Sequence, residues 1–334
     1  MKKDDPLDKN VTIGAELTEK GFKANARMRT VAALDRLVGN AVDFLNLPIE
    51  RRNVQARAKI EGERKLIEAI SDYTIDRMKT DPEFANRAAE NYIRSIGNRQ
   101  ENKDGVAKYA IEDLRRDTSS EEAGPELDSS FLNKFERLAE DASSEQLREK
   151  WGRVLAGEIR RPGTFSSKVL RVVDELEQST AILFETLCES RLGYLLPRCL
   201  TGDIPMPTVA KLVGADLLVE PGLTGQYQPF GISEADGQRF WLFTAGRYGF
   251  AFANDGDYRS PRHNRSGPIL AQNNAPGVPI FLLTDSGRAL STILPDKQDA
   301  AADRLGALLA AAVQPKQLTR FSDAGAGYWQ AGVG

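Results

Sequence analysis

Two groups of residues in this sequence are of types that do chemistry: a carboxylate on an apolar helix face, and a histidine among arginines. The carboxylate belongs to Glu158, within KWGRVLAGEIRRPGTFS at 150–166. At about 100° per residue, a helical wheel places Glu158 on the face that carries Trp151, Val154 and Leu155. A carboxylate buried there is costly unless it is paired or hydrogen-bonded. The position therefore indicates either an acid catalyst or a structural acceptor.

The sequence around Glu158 favours the structural interpretation. Catalysis would need a second acid, a base or a set of metal ligands at fixed spacing, and none stands out. Suitable partners lie close by, either the amides that open the next helix beyond Pro162 and Gly163, or Arg171 on that helix. We predict a structural core motif formed by Trp151, Glu158, Pro162, Gly163, Phe165 and Ser166. Small residues on the same helix predict that another helix approaches closely; they are Gly152, Ala156 and Gly157.

The single histidine, His263, lies in the basic loop DYRSPRHNRSG at 257–267. One histidine excludes two-histidine metal sites, and the sequence has neither a nucleophile elbow nor a phosphate-binding glycine motif. We therefore predict no enzyme activity, no catalytic residue, no metal and no cofactor. The arginines of this region suit phosphate contacts or a minor groove, or a solvated loop. The predicted binding residues, for nucleic acid or a partner protein, are Arg247, Arg259, Arg262, His263 and Arg265.

The first 120 residues have the apolar periodicity of long helices with thin stripes. Stripes run over 28–45, over 51–79, and from Pro82 through Tyr92, Ile93 and Ile96 to Leu114. Such helices are typical of a hairpin, a stalk or an oligomeric bundle, so we predict a homo-oligomer. A membrane surface is the alternative partner, because residues 28–60 include a basic amphipathic stretch.

The rest of the chain predicts a central helical module at 126–195 and a winged-helix-like module at 200–313, followed by a mobile tail at 314–334. Serines at 143, 166 or 167, and 179 are predicted helix caps, as is Thr284. The stretches 240–243, 248–253 and 278–283 are predicted strands. The predicted fold is thus mainly α, with an N-terminal helical hairpin or bundle, the central module and a C-terminal winged-helix-like α+β module. With a net charge of −3, no long apolar run and no secretory signal, the 334-residue chain is predicted to be cytoplasmic.

The central segment resembles an uncharacterised bacterial family classed as a domain of unknown function, itself distantly like the alpha-type abortive-infection proteins. The shared pattern is a helix containing Phe, W-x-x-(I/V)-L-A-G-E-(I/V), P-G-(S/T)-F-S, a short helix, and F-x-x-L-C. It falls here on Phe135, Trp151, Val154, Leu155, Ala156, Gly157, Glu158, Ile159, Pro162, Gly163, Thr164, Phe165, Ser166, Phe184, Leu187 and Cys188. Flanking matches are Arg99, Gln100 and Asn102 upstream, and Leu283, Thr284, Gly287, Arg288 and Leu290 downstream. The sequence departs from the pattern at Lys150 and Gly152.

The resemblance implies no characterised activity, but its relatives suggest antiviral defence. We expect a non-enzymatic defence protein that acts by oligomerisation and by binding nucleic acid or a partner protein. The alternative is an abortive-infection effector that acts on membranes through its N-terminal amphipathic helices.

Overall fold

A computed structural model describes residues 24–38, 77, 80–116, 125–222, 225–235, 237–256, 258, 267–323 and 329–331. The chain divides into two compact units, Met1–Thr164 and Phe165–Gly334. The helices are α1 (Ala24–Val38), α2 (Pro82–Arg116), α3 (Ser129–Glu140), α4 (Glu145–Arg160), α5 (Ser167–Glu175), α6 (Gln178–Cys188), α7 (Arg198–Thr201), α8 (Met206–Gly214), α9 (Asp285–Ser291) and α10 (Gln298–Val313). The strands are β1 (Leu195–Pro197), β2 (Gln226–Pro229), β3 (Gly231–Ala235), β4 (Gln238–Ala245), β5 (Tyr248–Ala253), β6 (Leu270–Gln272), β7 (Ala275–Leu282), β8 (Thr319–Asp323) and β9 (Trp329–Ala331).

The described part of the first unit is a packed group of helices, α1 to α4. Its core includes Phe135 and Trp151, whose rings meet edge to face with centroids 5.9 Å apart. The 35-residue helix α2 runs without a break past Gly105, as its periodicity predicted. It packs most extensively against α4, where a Cβ added to Gly152 would lie 2.4 Å from the Cβ of Tyr109. The absence of a side chain at Gly152 therefore lets the two helices approach closely.

Polar side chains in the middle of α2 fasten it to its neighbours. The buried amide of Asn102 donates to the carbonyl of Glu140, at 2.7 Å, and accepts a hydrogen bond from Arg148, at 2.8 Å. Gln100 donates to the carbonyl of Leu37 at 3.3 Å, and this bond reaches the end of α1. Asn102 thus satisfies one of the carbonyls left open at the end of α3 and positions an arginine of α4.

The second unit contains two antiparallel sheets. In the first, β7 lies between β2 on one side and β1 with β6 on the other; the second has the order β3-β4-β5-β8-β9. Aromatic side chains fill the core beside them: the ring centroid of Phe230 lies 5.4 Å from the centroids of both Phe243 and Phe252. Leu305 and Leu309 of α10 are fully buried in the same core.

A turn at residues 189–194 connects α6 to several other elements of this unit. The amide of Gly193 donates to the side chain of Gln298 at 2.7 Å, and Arg191 donates to the carbonyl of Ser291 at 3.0 Å. Gly193 and Gly246 both have positive φ, and a Cβ on Gly193 would lie 2.9 Å from the Cα of Gly246. Both positions therefore require glycine, for backbone conformation and for close approach.

The predicted mainly α fold with a winged-helix-like module is wrong. Helix accounts for 56% and strand for 19% of the described residues, and the strands form two antiparallel sheets across the C-terminal half, so the fold is α+β. The three long strands were predicted correctly, as β4, β5 and β7. Six shorter strands were missed because segments of three to five residues, such as QYQP and GISEA, have no apolar alternation. Two of these, β8 and β9, lie in the predicted tail.

Helix caps were predicted with mixed success. Ser166 caps α5 and Thr284 caps α9, as predicted. The cap of α4 is Ser144 rather than Ser143, and α6 begins after Glu177, without the predicted cap from Ser179. The side chain of Ser144 accepts from the amide of Leu147 at 3.2 Å, three residues on, which is the usual capping distance along the chain.

We predict that Gly152→Ala lowers the free energy of unfolding by about 1–3 kcal/mol, because the new methyl group overlaps Tyr109 and the α2 backbone. The matched control is Gly97→Ala in α2, where an added Cβ meets nothing within 4 Å. There alanine should stabilise the helix by up to about 1 kcal/mol. Chemical denaturation measures both, and equal effects of the two substitutions would contradict the close contact.

Candidate functional site

The Glu158 side chain lies inside the first unit, at the end of α4. It is 1% exposed, and Oε1 accepts a hydrogen bond of 2.7 Å from the amide of Gly163. Gly163 has φ +89°, a conformation that favours glycine, and it follows Pro162 in the turn after α4. Glu158 therefore acts as an acceptor for a turn amide; the sequence predicted an amide slightly further on, in the first turn of the next helix.

The other residues of the predicted core motif have structural positions. Trp151 is 2% exposed in the first unit. In the second unit Phe165 is also 2% exposed, and the hydroxyl of Ser166 accepts from the amide of Val169 at 3.4 Å. A further contact of α4 went unnoticed in the sequence: Arg160 lies 2.6 Å from the carboxylate of Asp113 and donates to its carbonyl, also at 2.6 Å. Such a two-point contact ties the end of α4 to α2.

Of the predicted binding residues, only Arg247 lies within the described structure. It forms ion pairs with Asp299, at 3.0 Å, and Asp296, at 3.5 Å, and donates to the hydroxyl of Tyr248 at 2.8 Å. Its charge is thus engaged inside the unit, linking the β4–β5 turn to α10. The other four residues lie outside the described residues: Arg259, Arg262, His263 and Arg265.

Tyr248 is at the centre of this ionic cluster. Burial, together with a hydrogen bond of 2.5 Å to Asp299, raises the pKa of Tyr248 to about 12. The hydrogen bond from Tyr248 and the nearby charge of Arg247 hold the pKa of Asp299 below its usual range. The phenol is therefore neutral and the carboxylate charged at neutral pH, which suits a structural hydrogen bond.

The two cysteines, Cys188 and Cys199, are free thiols. Burial raises the pKa of Cys188 to about 12 and that of Cys199 to about 11, so both are protonated at neutral pH. Among the described residues, no cluster of three or more His, Cys, Asp or Glu could hold a metal ion. In the same part of the chain, no helix has the length and apolar character needed to cross a membrane.

The clearest candidate surface for a partner lies on the N-terminal half of α2. It is formed by the side chains of Tyr92, Ile93 and Ile96, which we call the exposed stripe. These side chains are 68%, 69% and 48% exposed. Each lies 18 residues before a residue of the buried face, which is five turns of about 3.6 residues. The pairs are Tyr92 with Ala110, Ile93 with Ile111, and Ile96 with Leu114, and all three later residues are at most 7% exposed.

The stripe therefore lies on the same face of α2 as the buried Ala110, Ile111 and Leu114, and the polar residues Arg99, Gln100 and Lys103 lie on that face between them. The sequence predicted this stripe, but periodicity does not show which part of a stripe is covered. Contiguous exposed apolar side chains on a helix mark a surface for another molecule more often than scattered ones do. The arrangement can bind an apolar partner face.

We predict that Glu158→Gln lowers the free energy of unfolding by about 1–3 kcal/mol, because it replaces a carboxyl acceptor with a buried amide whose donors need partners. The control is Glu149→Gln, a half-exposed acid on the same helix that pairs with Arg153 one turn later; the loss of such a pair should change stability by less than about 0.5 kcal/mol. Thermal and chemical unfolding measure both variants. An unchanged stability for Glu158→Gln would mean that the carboxylate does not hold the turn.

Comparison with known proteins finds a partial family match. No curated protein and no solved structure gives a significant match to the chain. These elements are matched: α2 from its second turn, all of α3 to α6 and the turn that follows. Residues 86–193, which comprise them, match the model of a family described as a protein of unknown function, DUF2806.

Proposed function

We propose that this protein is a non-enzymatic binding protein that acts as a homo-oligomer, with the exposed stripe of α2 as the contact between copies. One observation carries the proposal: the face of α2 that is buried at Ala110, Ile111 and Leu114 continues, exposed, at the stripe. A second copy of α2 would cover the stripe with a surface of the same apolar kind. Helices pair in this way by interlocking side chains along adjacent faces.

The expected strength of the contact follows from the size of the stripe. Fully burying one large apolar side chain yields about 1.5–3 kcal/mol, so the six side chains of two copies yield on the order of 10 kcal/mol. Association itself costs about 4–15 kcal/mol. The balance supports a reversible, concentration-dependent complex rather than an obligate one. Copies would therefore assemble when their local concentration rises.

The proposed setting is bacterial antiviral defence in the cytoplasm. It is supported by the resemblance of the segment around Trp151 and Glu158 to proteins distantly like the abortive-infection type. Assembly on a reversible surface suits a protein that responds to an event in the cell, because a modest rise in concentration or a bound ligand shifts the equilibrium. Binding of nucleic acid through Arg262 and Arg265 is a second form of this proposal, and it rests on the sequence alone.

The variant Ile93→Glu tests the proposal, because it places a charge in the centre of the stripe without touching the core. Asn98→Glu is the matched control: it adds the same charge to an exposed position on the opposite face of α2. We expect the wild type and Asn98→Glu to show a mass that rises with concentration in light scattering, and Ile93→Glu to remain monomeric. A monomeric wild type at high micromolar concentration, or assembly of Ile93→Glu like the wild type, would refute the proposal.

The same preparations separate the alternative partners. If residues 28–60 act on membranes, the wild type should co-sediment with vesicles of anionic lipid, and Ile93→Glu should do so equally. If the basic loop binds DNA, Arg262→Ala and Arg265→Ala should weaken binding and flatten its salt dependence. Salt-insensitive or absent DNA binding would end the nucleic-acid version.

A further inference from the structure

A groove of about 500 Å³ lies in the second unit, between α5 and the C-terminal end of α8. Val172, Leu176 and Ala215 contribute apolar side chains to its lining. A smaller cavity of about 210 Å³ adjoins it, and the two share Glu175, Leu176 and Ala215. This volume is in the range of small-molecule sites.

One wall of the groove is held by a polar cluster around Asp216. Lys168 lies 2.8 Å and 3.1 Å from the two carboxylate oxygens, and the hydroxyl of the fully buried Ser286 donates at 2.5 Å. Partial burial opposes the charge of Asp216, but the hydrogen bonds from Lys168 and Ser286 outweigh it and lower its pKa. The carbonyl of Asp216 also accepts a hydrogen bond from Thr284. The charge of Lys168 is therefore already balanced within the wall.

Two further charges on the groove are not balanced in this way. Arg171 and Glu175 both line it, one helical turn apart on α5. Within the described part of the chain, neither makes a hydrogen bond or a close ion pair, and the charge of Arg171 acts at longer range on the carboxylate of Asp216, whose pKa it helps to lower. Arginine four residues before glutamate is the less favourable order for pairing along a helix. The neighbouring Lys211 is occupied by Glu177, at 3.1 Å. Besides the paired Lys168 and Asp216, the groove thus presents the guanidinium of Arg171 and the carboxylate of Glu175 beside apolar side chains.

We propose that this groove binds a small zwitterion of the apolar dipeptide class. The planar fork of Arg171 matches a carboxylate in two hydrogen bonds, and Glu175 accepts from an ammonium group. Side chains four apart on a helix are about 5–6 Å apart at Cβ, and two extended residues span about 7 Å. The termini of a dipeptide therefore reach both charges, and its side chains lie on Val172, Leu176 and Ala215. This inference does not depend on the α2 contact between copies.

Gly214 provides a sharp test, because it lines the groove and a Cβ added there meets nothing within 4 Å. Gly214→Leu should fill the groove without straining the fold. The probe is leucyl-leucine, titrated into the full chain by calorimetry and by amide chemical shifts. We expect saturable binding to the wild type, its loss in Gly214→Leu, and a loss of about 10-fold or more in Arg171→Ala. Asp174→Asn, an exposed acid on α5 outside the groove, is the control and should bind like the wild type.

Peptides with one blocked terminus test the contributions of Arg171 and Glu175 separately. N-acetyl-leucyl-leucine lacks the ammonium group and leucyl-leucinamide lacks the carboxylate, so each should bind at least several-fold more weakly than leucyl-leucine. Glu175→Gln should weaken leucyl-leucine but not the acetylated peptide. Unfolding curves of each variant check that the fold is retained. No saturable binding at millimolar peptide, equal binding of the blocked peptides, or unchanged binding by folded Gly214→Leu and Arg171→Ala would overturn the proposal.

Discussion

The packing of the first unit depends on the hydrogen bonding of one buried carboxylate, that of Glu158. Glu158 is 1% exposed, and a polar group removed from water in this way needs hydrogen bonds from nearby groups. The amide of Gly163 supplies one, because the turn after α4 brings it to 2.7 Å. The acid holds the turn that follows α4, and it lies two residues before Arg160, the last residue of the helix, which contacts Asp113 on α2. The acid, the turn and the pairing of α4 with α2 form one connected arrangement.

The two halves of the long helix α2 differ in their surroundings. Its C-terminal half packs into the unit, with Asn102 satisfying groups on α3 and α4. Its N-terminal half carries the exposed stripe on the same face. Because a continuous helix transmits orientation over its length, whatever contacts the stripe is held at a fixed rotation about α2 relative to the core.

Sequence reasoning predicted the features that depend on local periodicity and missed those that depend on distant pairing. It predicted α2 past Gly105, the burial of Glu158 and the three apolar strands, because each has a pattern readable within a dozen residues. It did not predict β2 or β3, whose polar residues become strands only because β7 and β4 offer them hydrogen-bonding edges. Arg247 was predicted as a binding residue from its type and its place in the turn before the basic loop. The carboxylates with which it pairs follow it by about fifty residues, so a local pattern does not reveal them.

The order of strands in the five-stranded sheet has a consequence for how the chain folds as it is made. Strands β3, β4 and β5 are consecutive and can pair as soon as they are synthesised. The other edge of β5 must wait for β8, which comes about 65 residues later, after the whole of β7 and α10. During that interval YGFAFA presents open backbone groups beside apolar side chains, a composition prone to wrong pairing between nascent chains. Helix α10 contacts this strand but is synthesised only just before β8, so its docking shortens the exposure of the strand at the very end of the interval.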